Sequence, residues 1–270
     1  MALTTIGLMA LLGCFTGFMA GLLGIGGGMI ITPFLIMLIP SSLIPHEHIV
    51  HVAIATSLAT IAFTSLSSVR AHHKRGAVLW NVVASVAPGI LVGAVVGAQI
   101  AGWLPTFWLS LIFAAFVGFS AFKMFLNKSP RPDRNLPGTI GKFFMGIAIG
   151  ILSALVGAGG GFLSVPWMIW CNVKMQNAVA TSAAFGFPIA LFGTIGYISG
   201  WNVSGLPPWP IDLGYICIPA LFSVAITSVL FAPLGAKVAH SIDTKPLKKI
   251  FACLLCFVCL YMIRQAYLAM

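Results

Sequence analysis

Acidic residues are nearly absent from this chain. Its 270 residues include only four Asp and Glu, and 7% of all residues are charged, whereas soluble domains carry about 25%. Hydrophobic residues make up 60% of the sequence, and the mean hydropathy is +1.07. Because no long stretch is polar enough to fold in water, the composition excludes a soluble domain and predicts an all-α polytopic membrane protein.

The few carboxylates avoid the predicted membrane interior. Glu47, Asp133, Asp212 and Asp243 all fall in loops or at predicted helix ends. Cation and proton pathways usually carry an acid inside the membrane, because such a group is costly to bury and tends to be functional. Its absence argues against a cation transporter and suits an anion that is held by dipoles and hydroxyls.

Motifs of catalysis and cofactor binding are also missing. The sequence has no Ser-His-Asp, His-Glu-x-x-His or paired-carboxylate arrangement, so we expect no enzyme activity. Its glycine runs lack the third glycine of a dinucleotide motif, since Met29 and Phe162 stand there. Cys253, Cys256 and Cys259 have the spacing of iron–sulfur ligands but lie in an apolar segment without a fourth ligand. We therefore predict no cofactor and no metal.

An internal repeat is the most informative feature that is present. The run Gly24–Gly28 is followed by Pro33, and it recurs as Gly157–Gly161 followed by Pro166. A polar stretch at 127–138 separates the two copies. The sequence therefore predicts a first transmembrane repeat at 1–126, a linker at 127–140 and a second transmembrane repeat at 141–270.

Each repeat has room for five membrane segments. Apolar stretches predict ten helices, at about 5–23, 28–40, 49–69, 78–101, 105–126, 141–157, 161–173, 176–199, 211–238 and 247–268. An odd number of segments per repeat inverts the second half relative to the first, as in many secondary transporters. The segments 28–40 and 161–173 are short for a full crossing, so they could be half-helices or strongly tilted, and eight full spans remain an alternative.

The distribution of positive charge supports this topology. In the ten-segment arrangement every Lys and Arg except Arg264 falls on one side of the membrane, and that side is cytoplasmic by the positive-inside rule. We expect a multi-pass protein of the cell (inner) membrane with both termini outside and the linker 127–140 cytoplasmic. The same rule explains the net charge of +10 without a nucleic-acid partner.

The glycine runs predict an anion site. Glycine adopts backbone conformations that other residues resist, and a helix that starts there presents unpaired N–H groups and a partial positive charge. Such a helix start binds anions without a charged side chain. A single run more often serves helix packing, but two matched runs from inverted repeats favour a binding site near the midplane. The candidate residues are Gly26, Gly27, Gly28, Gly159, Gly160 and Gly161.

A repeated Ala-Thr-Ser segment supplies the next candidates. The hydroxyls of Thr56, Ser57, Thr181 and Ser182 can donate to an oxyanion, or they can bond within and between helices. We weigh the two interpretations equally because the pair occurs in both halves.

Two further candidates occupy matching positions before these segments. His51 precedes its Ala-Thr-Ser segment by the same interval as Gln176 precedes the other. Histidine titrates near neutral pH and can attract an anion, although at a membrane interface it more often has no such function.

The duplicated turns resemble a known family. The segments Gly21–Pro33 and Leu155–Pro166, with the two Ala-Thr-Ser segments and the turn Gly196–Ile198, are similar to those of the TauE/SafE-type sulfite exporter family, also called TSUP. The resemblance covers nearly the whole chain. It implies export of sulfite or of a related sulfonate or thiosulfate. The two halves are not chemically equal, since Ser164 and Val165 stand where the first half has Ile31 and Thr32.

We therefore predict a secondary transporter that exports a small sulfur-containing anion by alternating access. One alternative is a channel for small anionic or neutral solutes. Another is a structural membrane protein whose interface is formed by the glycine zippers at 13–21 and 89–97, which would also allow a homo-oligomer.

Overall fold

The computed structural model describes residues 3–24, 27–39, 44–126, 135–199, 215–239 and 245–269. This part of the chain forms ten helices. They are α1 (Leu3–Leu23), α2 (Gly28–Leu38), α3 (Ile49–His73), α4 (Trp80–Trp103), α5 (Thr106–Leu126), α6 (Thr139–Val156), α7 (Gly161–Trp170), α8 (Met175–Ser199), α9 (Ile218–Ala239) and α10 (Lys245–Leu268).

Helix length separates the ten into two groups. Eight of the described helices have the length and apolar composition that a membrane crossing requires. The other two, α2 and α7, have 11 and 10 residues, so each is only about 15–17 Å long at 1.5 Å per residue. Neither can cross a hydrocarbon core of ~30 Å alone. They are the two segments for which the sequence allowed half-length helices.

The predicted start of the ninth helix, at about 211, is wrong. Residues 211–214 lie outside the described part, Tyr215–Cys217 are not helical, and α9 begins at Ile218. Pro219 is the second residue of this helix. Proline is tolerated in a first helical turn, where its missing N–H has no intrahelical acceptor anyway. The residues before Ile218 are also largely apolar, so hydropathy alone does not mark where the helix begins.

Glycine zippers pack the helices in pairs. Gly13, Gly17 and Gly21 of α1 lie against α9, and Gly89, Gly93 and Gly97 of α4 lie against α6. A Cβ at Gly17 would fall less than 3.0 Å from backbone atoms of Ser228. Both pairs run parallel, because residue numbers rise together along the two partners. The zippers therefore belong to the interior of this fold, where small residues let helices approach closely.

Each major packing contact has a counterpart in which the halves are exchanged. The pair α1–α9 corresponds to α6–α4, the pair α3–α9 corresponds to α8–α4, and the pair α2–α3 corresponds to α7–α8. Two further pairs, α3–α8 and α5–α10, join a helix to its own counterpart. Helices α3 and α8 are the most buried of the long helices, so they form the centre against which the short helices pack.

We expect Gly17→Val to lower the stability of the protein by about 1–3 kcal/mol, because its side chain would force α1 away from α9. The matched control is Gly7→Val, since Gly7 lies on the same helix with nothing within 4 Å of a Cβ. Both substitutions carry the same change in helix propensity. Thermal unfolding in detergent measures the difference, and equal melting temperatures would contradict the close packing of this pair.

Candidate functional site at the crossing of the two glycine turns

The helices α1–α2 and α6–α7 are joined by turns that only glycine accommodates easily. The φ angles are 66° at Gly24, 71° at Gly27, 64° at Gly157 and 74° at Gly160. These values lie in the left-handed region, which is unfavourable for residues with a Cβ. Gly27 and Gly160 are the N-cap residues of α2 and α7. The predicted site residue Gly26 lies outside the described residues.

The two glycine turns pass each other in opposite directions. A Cβ at Gly28 would fall less than 3.0 Å from the carbonyl oxygen of Gly157, and a Cβ at Gly161 would do the same with the carbonyl oxygen of Gly24. The start of one turn therefore lies against the end of the other. A side chain at Gly28 or Gly161 would separate the turns, so the missing Cβ is what allows this crossing.

The start of α7 presents backbone donors. The amides of Leu163 and Ser164 donate to the carbonyl of Gly160, at 3.1 and 3.0 Å. The four amides before them, of residues 159–162, have no backbone acceptor in the part of the chain that the structure describes. The predicted site residues Gly159, Gly160 and Gly161 all lie within this group. Free amides at the positive end of a helix dipole are a ready site for an anion.

The serines of the Ala-Thr-Ser segments hold the crossing together. Ser57 Oγ donates to the carbonyl oxygen of Gly157 at 3.1 Å, and Ser182 Oγ donates to the carbonyl oxygen of Gly24 at 2.8 Å. Both bonds join one half of the chain to the other. A hydroxyl has a single proton, so in this conformation neither serine has a proton left to donate to an anion.

The threonines of the same segments cap two long helices of the opposite half. Thr56 Oγ1 accepts the amide of Cys217 at 2.9 Å, and Thr181 Oγ1 accepts the amide of Leu79 at 3.0 Å. Cys217 and Leu79 directly precede α9 and α4. Since a threonine that accepts one bond keeps its own proton, these two side chains remain able to donate.

His51 belongs to a different environment, at the start of α3. Its Nε2 donates to the carbonyl oxygens of Ala101 and Leu104, at 3.2 and 3.1 Å, at the end of α4. Its ring packs against His48 and Tyr215, with centroids 6.2 and 5.7 Å away. A donor at a helix C-terminus satisfies carbonyls that have no intrahelical partner.

The same histidine lines a cavity of about 560 Å³ between the segment before α3, the α4–α5 turn and the end of α10. Its other polar side chains are His46, Glu47, His48, Thr106 and Gln265. Burial raises the pKa of the neighbouring Tyr215 phenol, which therefore stays neutral at pH 7. The hydrogen bonds from His51 Nε2 join it to the end of α4, and its ring lies at the cavity.

Gln176 shares the sequence interval of His51 but not its surroundings. It is exposed in the first turn of α8. The structure thus brings together the glycines and the hydroxyls of the Ala-Thr-Ser segments, and it leaves His51 and Gln176 in the first turns of α3 and α8.

Sequence reasoning missed three hydroxyls near the crossing. Thr32, Ser153 and Ser164 are buried, and their hydroxyls have no partner among the described residues. Thr32 Oγ1 lies 2.9 Å from where a Cβ of Gly157 would be, and Ser153 Oγ lies 3.3 Å from where a Cβ of Gly160 would be. A hint in the sequence was the difference between the residues after the two glycine runs, where Ile31 and Thr32 in the first half are matched by Ser164 and Val165 in the second.

The fold and this crossing define a multi-pass helical membrane protein with two broken segments at its centre, an arrangement typical of secondary transporters. The pattern of the sulfite exporter TauE/SafE family matches residues 9–262. The chain therefore belongs to the sulfite exporter TauE/SafE family, which confirms the resemblance seen in its glycine turns. This is a family of membrane transporters and not of enzymes.

Relatives in bacteria and archaea extend over most of the chain. A probable membrane transporter protein of Haemophilus influenzae is 34% identical over 96% of this chain and 98% of its own length. Probable membrane transporter proteins of Bacillus subtilis and Methanocaldococcus jannaschii are each 27% identical, over 86% and 95% of this chain and 89% and 94% of their own lengths. No solved structure matches this chain.

We expect Ser57→Ala and Ser182→Ala each to lower stability by about 1–3 kcal/mol, because each leaves a buried carbonyl oxygen without its hydroxyl donor. The control is Ser85→Ala, since Ser85 Oγ bonds only to the carbonyl of Asn81 in its own helix. We expect that control to stay within about 0.5 kcal/mol of the original protein. Thermal unfolding in detergent tests this, and stability losses equal to that of the control would show that the crossing does not depend on these bonds.

Proposed function

We propose that this protein exports a small sulfur-containing anion, such as sulfite or a related sulfonate or thiosulfate, across the cytoplasmic membrane by alternating access. One observation carries the proposal: two helices with uncapped N-termini begin where two glycine turns cross inside a membrane protein of the sulfite exporter family. Amides of Gly26–Gly28 and Gly159–Gly161 cradle the anion, and the protons that Thr56 and Thr181 retain add hydroxyl donors.

The electrostatics of the crossing favour a negative ligand. The starts of α2 and α7 direct the positive ends of two helix dipoles toward it. Glu47, the one carboxylate among the described residues, is exposed before α3. In a water-poor interior, amides that point at a ligand interact with it more strongly than they would in water. An anion is therefore stabilised at the crossing, and a cation would find no counter-charge on the described helices.

The proposed cycle uses the two halves as inverted repeats. The exchange symmetry of the packing and the opposite directions of the glycine turns support this relation, as does the count of five helices in each half. The sorting of Lys and Arg supports a cytoplasmic linker at 127–140 and termini outside. Rocking one half against the other then opens the central site to each side in turn.

The membrane potential supplies a driving force for export. An inside-negative potential favours anion exit by about 2.3 kcal/mol per charge per 100 mV. Export therefore needs no coupling ion, and the described helices offer no carboxylate to carry a proton or a sodium ion.

A binding measurement tests the site. We expect sulfite, sulfate, thiosulfate or a sulfonate, but not chloride, to raise the melting temperature of the purified protein in a saturable way, since a ligand that binds the folded state stabilises it by mass action. Gly160→Ala should abolish this response, because its Cβ would crowd Ile189 and Ser153. The control is Gly76→Ala, because Gly76 has a φ of 65° with nothing within 4 Å of a Cβ.

Loss of the response in both glycine variants would show that backbone strain alone removes binding. A response that is unchanged in both variants would place the anion elsewhere in the protein.

A flux measurement tests the mechanism. In liposomes that contain the protein and radiolabelled sulfite, we expect efflux that saturates with concentration and quickens when the interior is made negative. The rate should not depend on a proton gradient, since no coupling ion is proposed. Flux that rises linearly with concentration would indicate a channel, and strict dependence on a proton gradient would contradict uniport.

A further inference from the structure

Two buried hydroxyls face the second glycine turn from different helices. Thr32 Oγ1 comes from α2 and lies 2.9 Å from the position of a Cβ on Gly157, while Ser153 Oγ comes from α6 and lies 3.3 Å from that on Gly160. Both residues are at most 1% exposed, and neither hydroxyl has a partner in the described part of the chain. The turn between them carries the amides that have no backbone acceptor.

The lack of a partner sets these two apart from most helical hydroxyls in the protein. Thr16, Thr60 and Thr64 each donate to a carbonyl one turn earlier in their own helix, at 2.8 to 3.1 Å. This is the ordinary way for Ser or Thr to be satisfied inside an apolar helix. A buried hydroxyl that makes no bond is unfavourable, because it has lost its water without compensation. A ligand that accepts its proton would remove that penalty.

The two hydroxyls have no counterpart in the other half. Val165 stands where the repeat would place the equivalent of Thr32, and Ala20 stands where it would place the equivalent of Ser153. The backbone of the crossing is repeated, but these donors are not. Because these hydroxyls occur in one half only, neither the duplicated fold nor the crossing of the turns requires them. Both lie beside the glycine turn of the second half.

We propose that Thr32 and Ser153 are ligands of the transported anion and that they select oxyanions over halides. This inference rests on the proposed function. The hydroxyls approach from α2 and α6, so each donates to a separate oxygen of one anion, while the amides of residues 159–162 hold its charge. A single-atom halide meets fewer of these donors at once. The serines of the Ala-Thr-Ser segments have already donated their protons to carbonyl oxygens, and these bonds hold the two glycine turns in place.

The test uses three variants of the full chain. Thr32→Val and Ser153→Ala remove one hydroxyl each with little change in shape. Ser110→Ala is the matched control, because Ser110 is equally buried and its hydroxyl likewise has no partner among the described residues, but it lies on α5. Each purified protein is titrated with sulfite, thiosulfate and chloride, and both the dissociation constant and the melting temperature without ligand are measured.

We expect Thr32→Val and Ser153→Ala each to weaken oxyanion binding about tenfold or more, because a hydrogen bond to a charged group is lost. Binding of chloride should change little, so the selectivity should fall. Melting temperatures without ligand should stay the same or rise, since an unpaired buried hydroxyl has been removed. Ser110→Ala should bind oxyanions as the original protein does.

The outcomes that overturn the inference are distinct from those that overturn the function. If the original protein binds oxyanions and both variants bind them equally well, Thr32 and Ser153 are not ligands and the proposed function stands. If the variants lose melting temperature as Ser57→Ala does, their hydroxyls have structural partners and the inference fails. If the folded original protein binds none of the oxyanions, the proposed function and this inference fail together.

Discussion

Two backbone carbonyls, of Gly24 and Gly157, each lie against a glycine of the opposite half and each accept a serine hydroxyl. No side chain other than hydrogen fits between the turns, so the contact is available only to glycine. It places the start of each short helix against the end of a long helix of the opposite half, in the interior of the protein. The long helices α3 and α8, which carry the serines, are held at the centre by the same bonds. The packing of the other helices follows from this central pair.

In this arrangement, one set of groups fixes the geometry of the crossing and another set provides its electrostatic potential. All four hydroxyls of the Ala-Thr-Ser segments make bonds between the halves, so the proposed rocking of one half against the other has to keep or break these bonds. Amides and helix dipoles provide a positive potential without a buried charge, which avoids the large desolvation penalty of a cationic side chain in the membrane. The potential suits an anion but does not distinguish one anion from another.

Under the proposal made here, selectivity depends on what duplication has not preserved. The glycines and the Ala-Thr-Ser segments are the same in both halves, whereas Thr32 and Ser153 are matched by Val165 and Ala20. A site whose backbone is repeated but whose side chains differ between the halves can keep one backbone geometry while its hydrogen-bond donors vary with the substrate.

The sequence by itself determined the class of protein, the family and nearly every helix boundary, because hydropathy and glycine act locally. Hydropathy placed the start of α9 too early, because an apolar run extends in front of the helix that begins at Ile218. The sequence also could not distinguish His51, which is bonded to α4, from Gln176, which is exposed. Only the tertiary structure decided that Ser57 and Ser182 bond across the halves, since their partners are 100 and 158 residues away. It also decided which hydroxyls lack a partner, because satisfaction of a polar group depends on every neighbour in space and not on its neighbours in the chain.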